Sequence, residues 1–206
     1  MKLRMTETIR MYFDADFEIR QDDELLGKAA IRNCMQEDPG SLTVTFAGRK
    51  ITMTYPGVTG GFKGFDPAYR HLLTEDGREA GYIERISDGG FFSKDYHMEM
   101  VLDGEKVFCY EVKLGEEGTA FPLYRDGKIK GQGRLPQKIY QDRYNYTLAA
   151  EDEVSALMLI LCLCYRYYAF AFVPGKETEK AFERTFGTTR NKAIRDKYDP
   201  DYEKKV

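Results

Sequence analysis

Residues 125–136, RDGKIKGQGRLP, place Lys128, Lys130, Gln132 and Arg134 at alternate positions, with Ile129, Gly131, Gly133 and Leu135 between them. On a β-strand that spacing puts the two sets on opposite faces. One face is then cationic, with Lys128 and Lys130 about 7 Å apart, a separation suited to adjacent phosphates. The chemistry on offer is electrostatic rather than covalent, since each cation near an anionic lipid surface adds up to about 1 kcal/mol. A solvated strand whose lysines resist edge pairing is the plainer reading of the same residues. The glycines on the other face suit close approach of a neighbouring element.

Other chemistry-bearing residues fall short of a catalytic or metal-binding pattern. YPGVTGGFKGFDP, residues 55–67, resembles a phosphate loop in composition only: counted from Gly57, Phe62 stands where glycine is required and Gly64 where a magnesium-binding hydroxyl belongs. It reads as a barrel loop, with ligand gating as the alternative. His71 and His97 belong to no nucleophile or metal spacing; His71 shares parity with Tyr69 and Leu73 and reads as a hydrogen-bonded wall residue, whereas His97 lies on a polar face. Asp14, Asp16, Glu18, Asp22 and Asp23 match no calcium loop and bracket a turn. Cys34, Cys109, Cys162 and Cys164 lack zinc spacing and are expected as thiols. No catalytic residue, metal or cofactor is therefore expected.

Composition bounds the setting. A chain of 206 residues suggests one domain able to bury a real core. Its charged residues, 32% of the total, nearly balance at a net charge of −3, so the global basic field typical of nucleic-acid binders is absent. MKLRMTETIRMYF has no apolar block or cleavage site and does not read as a signal peptide. A cytoplasmic location, peripheral to the membrane if lipid is the ligand, is the expectation.

The elements that must hold these residues are mostly strands. Leu3, Met5, Ile9, Met11 and Phe13 alternate with Arg4, Thr6, Thr8 and Arg10; Leu42, Val44 and Phe46 alternate with threonines, and period two recurs through Leu148. Asp76-Gly77, Asp88-Gly89, Asp103-Gly104, Glu117-Gly118 and Asp126-Gly127 are hairpin dipeptides. The result is an antiparallel meander of about a dozen strands. SALMLILCLCYRYYAFAF, residues 155–172, then supplies one helix that is apolar on all sides. A closed barrel of this many strands has a lumen too wide for its own side chains, and such a helix fills it. A membrane span fits less well, because Arg166 falls inside the run. That arginine is expected to reach the barrel mouth with its stem along the wall. Glu151, Asp152 and Glu153 suit the first helical turn. The expected organisation is a barrel over 1–173 with its central helix at 151–173, then a charged, partly helical tail over 174–206 in which Ala181, Phe182 and Phe186 suit a short amphipathic helix.

Three stretches resemble the tubby C-terminal superfamily, which also holds the phospholipid scramblases and the plant LURP-one-related proteins. FEIRQDDELLGKAAI (17–31) is similar to the family's apolar strand, acidic turn and glycine opening, EDGREAGYIERI (75–86) to its turn and Gly-x-Ile strand, and YNYTLAAEDEVSALMLILCLC (144–164) to its last strand and central helix. The resemblance implies a twelve-stranded barrel around a buried helix, no established catalytic residues, and association with membrane lipids in the better-known branches. The chain departs from the scramblase pattern in lacking a proline-rich arm and an acylated cysteine cluster, and in its longer tail, so scrambling is not carried over.

The functional expectation is a non-enzymatic binding or adaptor domain that meets anionic headgroups through Lys128, Lys130 and Arg134. An enzyme or small-ligand binder with a pocket at the barrel mouth near residues 56–66 is one alternative, and a structural protein-interaction domain is the other.

Overall fold

The computed structural model describes residues 1–11, 14–32, 41–54, 70–88, 95–137, 143–171 and 187–206. Its strands in chain order are β1 (Lys2–Met11), β2 (Asp14–Gln21), β3 (Glu24–Arg32), β4 (Ser41–Phe46), β5 (Arg49–Thr54), β6 (His71–Glu75), β7 (Arg78–Ser87), β8 (Tyr96–Leu102), β9 (Glu105–Tyr110), β10 (Val112–Lys113), β11 (Thr119–Arg125), β12 (Lys128–Leu135) and β13 (Asn145–Ala150). A long helix, α1 (Glu153–Ala171), follows, and then two single turns, α2 (Lys192–Arg195) and α3 (Tyr202–Lys205).

Every strand pairs antiparallel with its neighbours, and the sheet closes on itself. β13 pairs with β1, matching Tyr146 to Met5, and β9 pairs with β11, matching Cys109 to Leu123. Val112 of β10 stands opposite Ala120 in the same register, so β9 and β10 form one continuous stave interrupted at Glu111. The wall therefore has twelve staves. Parity decides which residues face inward: Phe17 and Ile19, Val44 and Phe46, Met100 and Leu102 are buried, whereas the residues between them are half-buried or exposed. Outward positions such as Arg20, Lys28, Thr45, Thr52 and Glu84 are charged or hydroxylated, unlike the apolar band of a membrane-spanning barrel.

α1 occupies the lumen. Every residue from Ser155 to Tyr168 is buried, which on a helix requires neighbours on all sides. Each fully buried leucine-sized side chain contributes roughly 1.5–3 kcal/mol, so this helix is a main source of stability. Asp152 caps its start, accepting a 2.6 Å hydrogen bond from the Ser155 amide. Burial pushes the Asp152 carboxyl up, but the Ser155 hydrogen bonds, with Arg125 and Lys130, outweigh it and hold it low. The glycines of β12 face this helix as the alternation implied: a β-carbon on Gly133 would sit 3.2 Å from Leu163 Cδ1, and one on Gly131 3.4 Å from Leu159 Cδ2. Among the described residues no helix is long and apolar enough to cross a membrane.

Two expectations are corrected. The alternation expects Ile9 on the inner face with Met5, yet Ile9 is 45% exposed, and Glu7 is the last residue of that inward set to be buried. A bulge between Glu7 and Ile9 inserts one residue into β1 and reverses its parity. Arg166 does not reach solvent at the mouth either; it is 4% exposed and paired inside the barrel.

The two ends of the barrel differ. At one end all five hairpins have two-residue turns whose first residue has φ of 49–53°: Asp22, Ala47, Asp76, Asp103 and Asp126. These positive angles match the right-handed twist of the strands. At the other end, the Asp88 amide after β7 donates to the Asp95 carbonyl before β8 at 2.9 Å, and a 3₁₀ turn at Gly115–Glu117 leads into β11. Glu117-Gly118 thus belongs to a longer connection than a two-residue hairpin, and Gly89 of Asp88-Gly89 lies outside the described residues.

Candidate functional site

β12 does not keep the alternation that would set Lys128, Lys130 and Arg134 in one outward row: a bulge opposite Leu123 and Tyr124 pairs Gly131 with Leu123 but Ile129 with Tyr124, so Lys128, opposite Arg125, departs from the parity of Gln132 and Arg134. Lys128 is exposed. Lys130 Nζ lies 2.6 Å from Glu151 Oε2, and Arg134 Nη2 lies 3.4 Å from Glu117 Oε2, with its guanidinium 5.9 Å from the Tyr198 ring. Between them Gln132 is only 1% exposed, because residues 187–206 lie over it. The row is therefore broken twice, by the bulge at Lys130 and by the covered Gln132.

The segment over Gln132 is attached along its length. Leu114 and Thr188 form an antiparallel bridge, the Thr189 amide donates to the Lys113 carbonyl at 3.0 Å, and the Lys113 amide donates to Thr189 Oγ1 at 2.8 Å. Ile194 packs on the outward-facing Val112 and Ala120. The Lys197 ammonium sits 5.1 Å from the Tyr110 ring and 4.7 Å from the Tyr124 ring, while Tyr124 Oη donates to the Lys197 carbonyl at 3.0 Å. Gln132 Nε2 donates to the Asp199 carbonyl at 2.9 Å, and the Asp199 amide donates back to Gln132 Oε1 at 3.2 Å. Both faces of β11 are consequently buried from Thr119 to Leu123.

A second concentration of polar side chains lies inside the barrel around the C-terminal half of α1. Arg166 donates to Glu111 through Nε at 3.0 Å and Nη2 at 3.3 Å, and its guanidinium stands 5.1 Å from the Phe121 ring. Burial pushes the Glu111 carboxyl up, but Arg166, Lys113 and Arg85 outweigh it and hold it below the usual range. Arg85 lies 3.4 Å over the Tyr96 ring, and burial lowers its pKa. His71 faces inward against the Tyr165 ring at 5.3 Å, and burial lowers its pKa to about 4. Across the lumen, Glu7 Oε1 accepts from Tyr167 Oη at 2.7 Å and Oε2 accepts from the Tyr144 amide at 3.0 Å. These carboxylates are held by donors on α1 and the wall, an arrangement that fixes the helix in the barrel.

The remaining residues singled out by type are dispersed. His97 lies on the outer wall with Nδ1 2.7 Å from the Asp88 carboxylate. Asp14 and Asp16 face Arg32, Glu18 faces Arg20, and Asp22-Asp23 make a turn. Cys109, Cys162 and Cys164 are buried free thiols. Residues 55–67, Cys34, and the Ala181, Phe182 and Phe186 helix lie outside the described residues. Among the described residues, no three or more His, Cys, Asp or Glu side chains are grouped to hold a metal.

Sequence reasoning passed over Glu7 and Glu111, although parity held a signal for both. Glu7 follows Leu3 and Met5 at the inward spacing, and Glu111 follows Val107 and Cys109. A carboxylate in an apolar register asks for an internal donor, which Tyr167 and Arg166 supply. No family model, curated protein or solved structure matches the chain.

Proposed function

We propose that the chain is a non-enzymatic binding or adaptor domain that recognises its partners on the outside of its wall. The filled lumen supports this reading most: α1 is buried from Ser155 to Tyr168, so the interior that many barrels give to a ligand is given to a helix. The resemblance of residues 1–173 to the tubby C-terminal superfamily adds anionic lipid headgroups as the ligand class and a peripheral, cytoplasmic place of action. Lys128, Lys130 and Arg134 are the candidate contacts. Glu151 and Glu117 are themselves exposed, and ion pairs of that kind hold so weakly that phosphates compete for the cations.

The test is co-sedimentation with neutral and anionic liposomes at two salt concentrations, for the parent and for the triple change of Lys128, Lys130 and Arg134 to Gln. Binding to anionic liposomes at low salt that weakens with added salt and falls in the triple variant supports the row. Binding that is absent in the parent, or unchanged in the variant, removes it.

A second reading, a protein-interaction domain, is favoured by a different observation. The outer wall from β9 to β12 grips a stretch of polypeptide, residues 187–206, largely through main-chain groups.

A further inference from the structure

We infer that the outer wall of β9–β12 is a peptide-recognition groove that takes, in place of residues 187–206, a partner protein's segment of the same chemistry: an apolar residue, a lysine three positions on, and a tyrosine five beyond that. This rests on the protein-interaction reading and gives it a site and a partner class.

Three barrel groups read main-chain atoms of the occupant. Lys113 pairs with Thr189 as a short added strand, Tyr124 Oη donates to the Lys197 carbonyl, and Gln132 forms a two-point amide pair with Asp199. A glutamine 1% exposed on an outward face, facing a peptide unit of another segment, is a recognition group rather than a solvated side chain. Main-chain recognition is indifferent to most of the bound sequence, and pockets for alternate side chains supply the selectivity.

Three such side chains are seated. Ile194 covers Val112 and Ala120, two adjacent apolar residues at outward positions of the wall. The Lys197 ammonium rests against two tyrosine rings set at 87° to each other, a partial aromatic cage. Tyr202, 3% exposed, lines one recess with Met1 and Ile129.

The present occupant is built to leave. Its ion pairs Lys192–Asp196, Lys204–Asp201 and Lys205–Asp199 lie within the segment and survive undocking. Its helices are single turns, and β10, β11 and β12 keep their mutual ladders without it. Segments with few buried apolar contacts open at far lower free energy than the core.

The experiment is a fluorescence-anisotropy titration of a labelled peptide of sequence 187–206 against three full-length chains: the parent, Ile194→Asp/Lys197→Glu, and that double variant with Gln132→Leu. Thermal melts first confirm that each is folded. Weak binding to the parent, at least tenfold tighter binding to the double variant, and at least a tenfold loss with Gln132→Leu is the expected result. A folded double variant that binds no better than the parent, or binding indifferent to Gln132→Leu, overturns the proposal. A double variant that dimerises by light scattering, with the peptide dissolving the dimer, gives the groove to a second copy and overturns the partner-protein assignment.

Hydrogen exchange on the parent gives an independent readout. The amides of Thr189 and Asp199 should exchange at least a hundredfold faster than those of β1 and β2, and equal protection overturns the displaceable segment. Failure of peptide binding alongside intact anionic-liposome binding removes the groove and leaves the adaptor reading standing; failure of both removes both.

Discussion

The guanidinium of Arg166 and the carboxylate of Glu111 meet inside the barrel, Nε to Oε2 at 3.0 Å and Nη2 to Oε1 at 3.3 Å, and so tie α1 to the stave formed by β9 and β10. Removing one partner takes from the other its main counter-charge inside the barrel. Arg166→Met or Glu111→Ala alone should therefore cost about 3–5 kcal/mol in denaturant unfolding. Arg166→Met with Glu111→Leu should recover most of that loss, because two apolar groups need no partner. A double variant as unstable as either single one would show that the pair holds the fold by more than charge balance.

His71 gives the stability a pH dependence of known sign. Its folded pKa of about 4 lies below the unfolded value of 6.5, because burial disfavours the imidazolium. Between those values the unfolded chain binds more protons, so this contribution is full above pH 6.5 and is lost as pH falls towards 4. The loss is on the order of 2–3 kcal/mol. The unfolding free energies of the parent and of His71→Phe should diverge by that amount between pH 7 and pH 4. Parallel curves would exclude His71 as the cause.

The fit of β12 against α1 is tested by adding single methyl groups. Gly133→Ala presses a β-carbon to 3.2 Å from Leu163 Cδ1 and should cost about 1–3 kcal/mol. Leu163→Val beside it should restore part of the loss. Gly131→Ala meets its nearest atoms at 3.4 Å and should stay within about 0.5 kcal/mol of the parent. The reverse order of effects would contradict the packing.

Cys109, Cys162 and Cys164 should be inert to thiol reagents in the native protein and react together on unfolding. All three are fully buried, and burial raises the thiol pKa of Cys109 and Cys164. Cys162 and Cys164 point about 160° apart on α1, so joint protection requires a helix enclosed on both sides. The measurement is kinetic labelling in a Cys34→Ser background. Rapid native labelling of either helix cysteine would count against enclosure.

The barrel was legible because its two signals are local. Alternation in residues such as Leu42, Val44 and Phe46, and turns such as Asp103-Gly104, need no knowledge of the rest of the chain. α1 was legible because a run apolar on every side has few other places to go. The Glu7–Ile9 bulge was not legible, since it depends on how β1 meets β2. The docking of residues 187–206 was hidden for a different reason: the segment buries only Ile194, Tyr202 and Thr189, and its charges read as a solvated tail. Gln132 was read with the cations beside it, and only the position of Asp199 separates it from them.

The pairing of β1 with β13 has a consequence for how the protein is made. β1 leaves the ribosome more than a hundred residues before the β13 it pairs with, and the helix that fills the lumen comes after both. At about 5–20 residues per second that wait is on the order of 10 s. Throughout it, inner side chains such as Phe17, Ile31 and Val44, buried in the finished barrel, lack the helix that fills its lumen. The demand on chaperones should therefore fall on the growing polypeptide and end once α1 has been released.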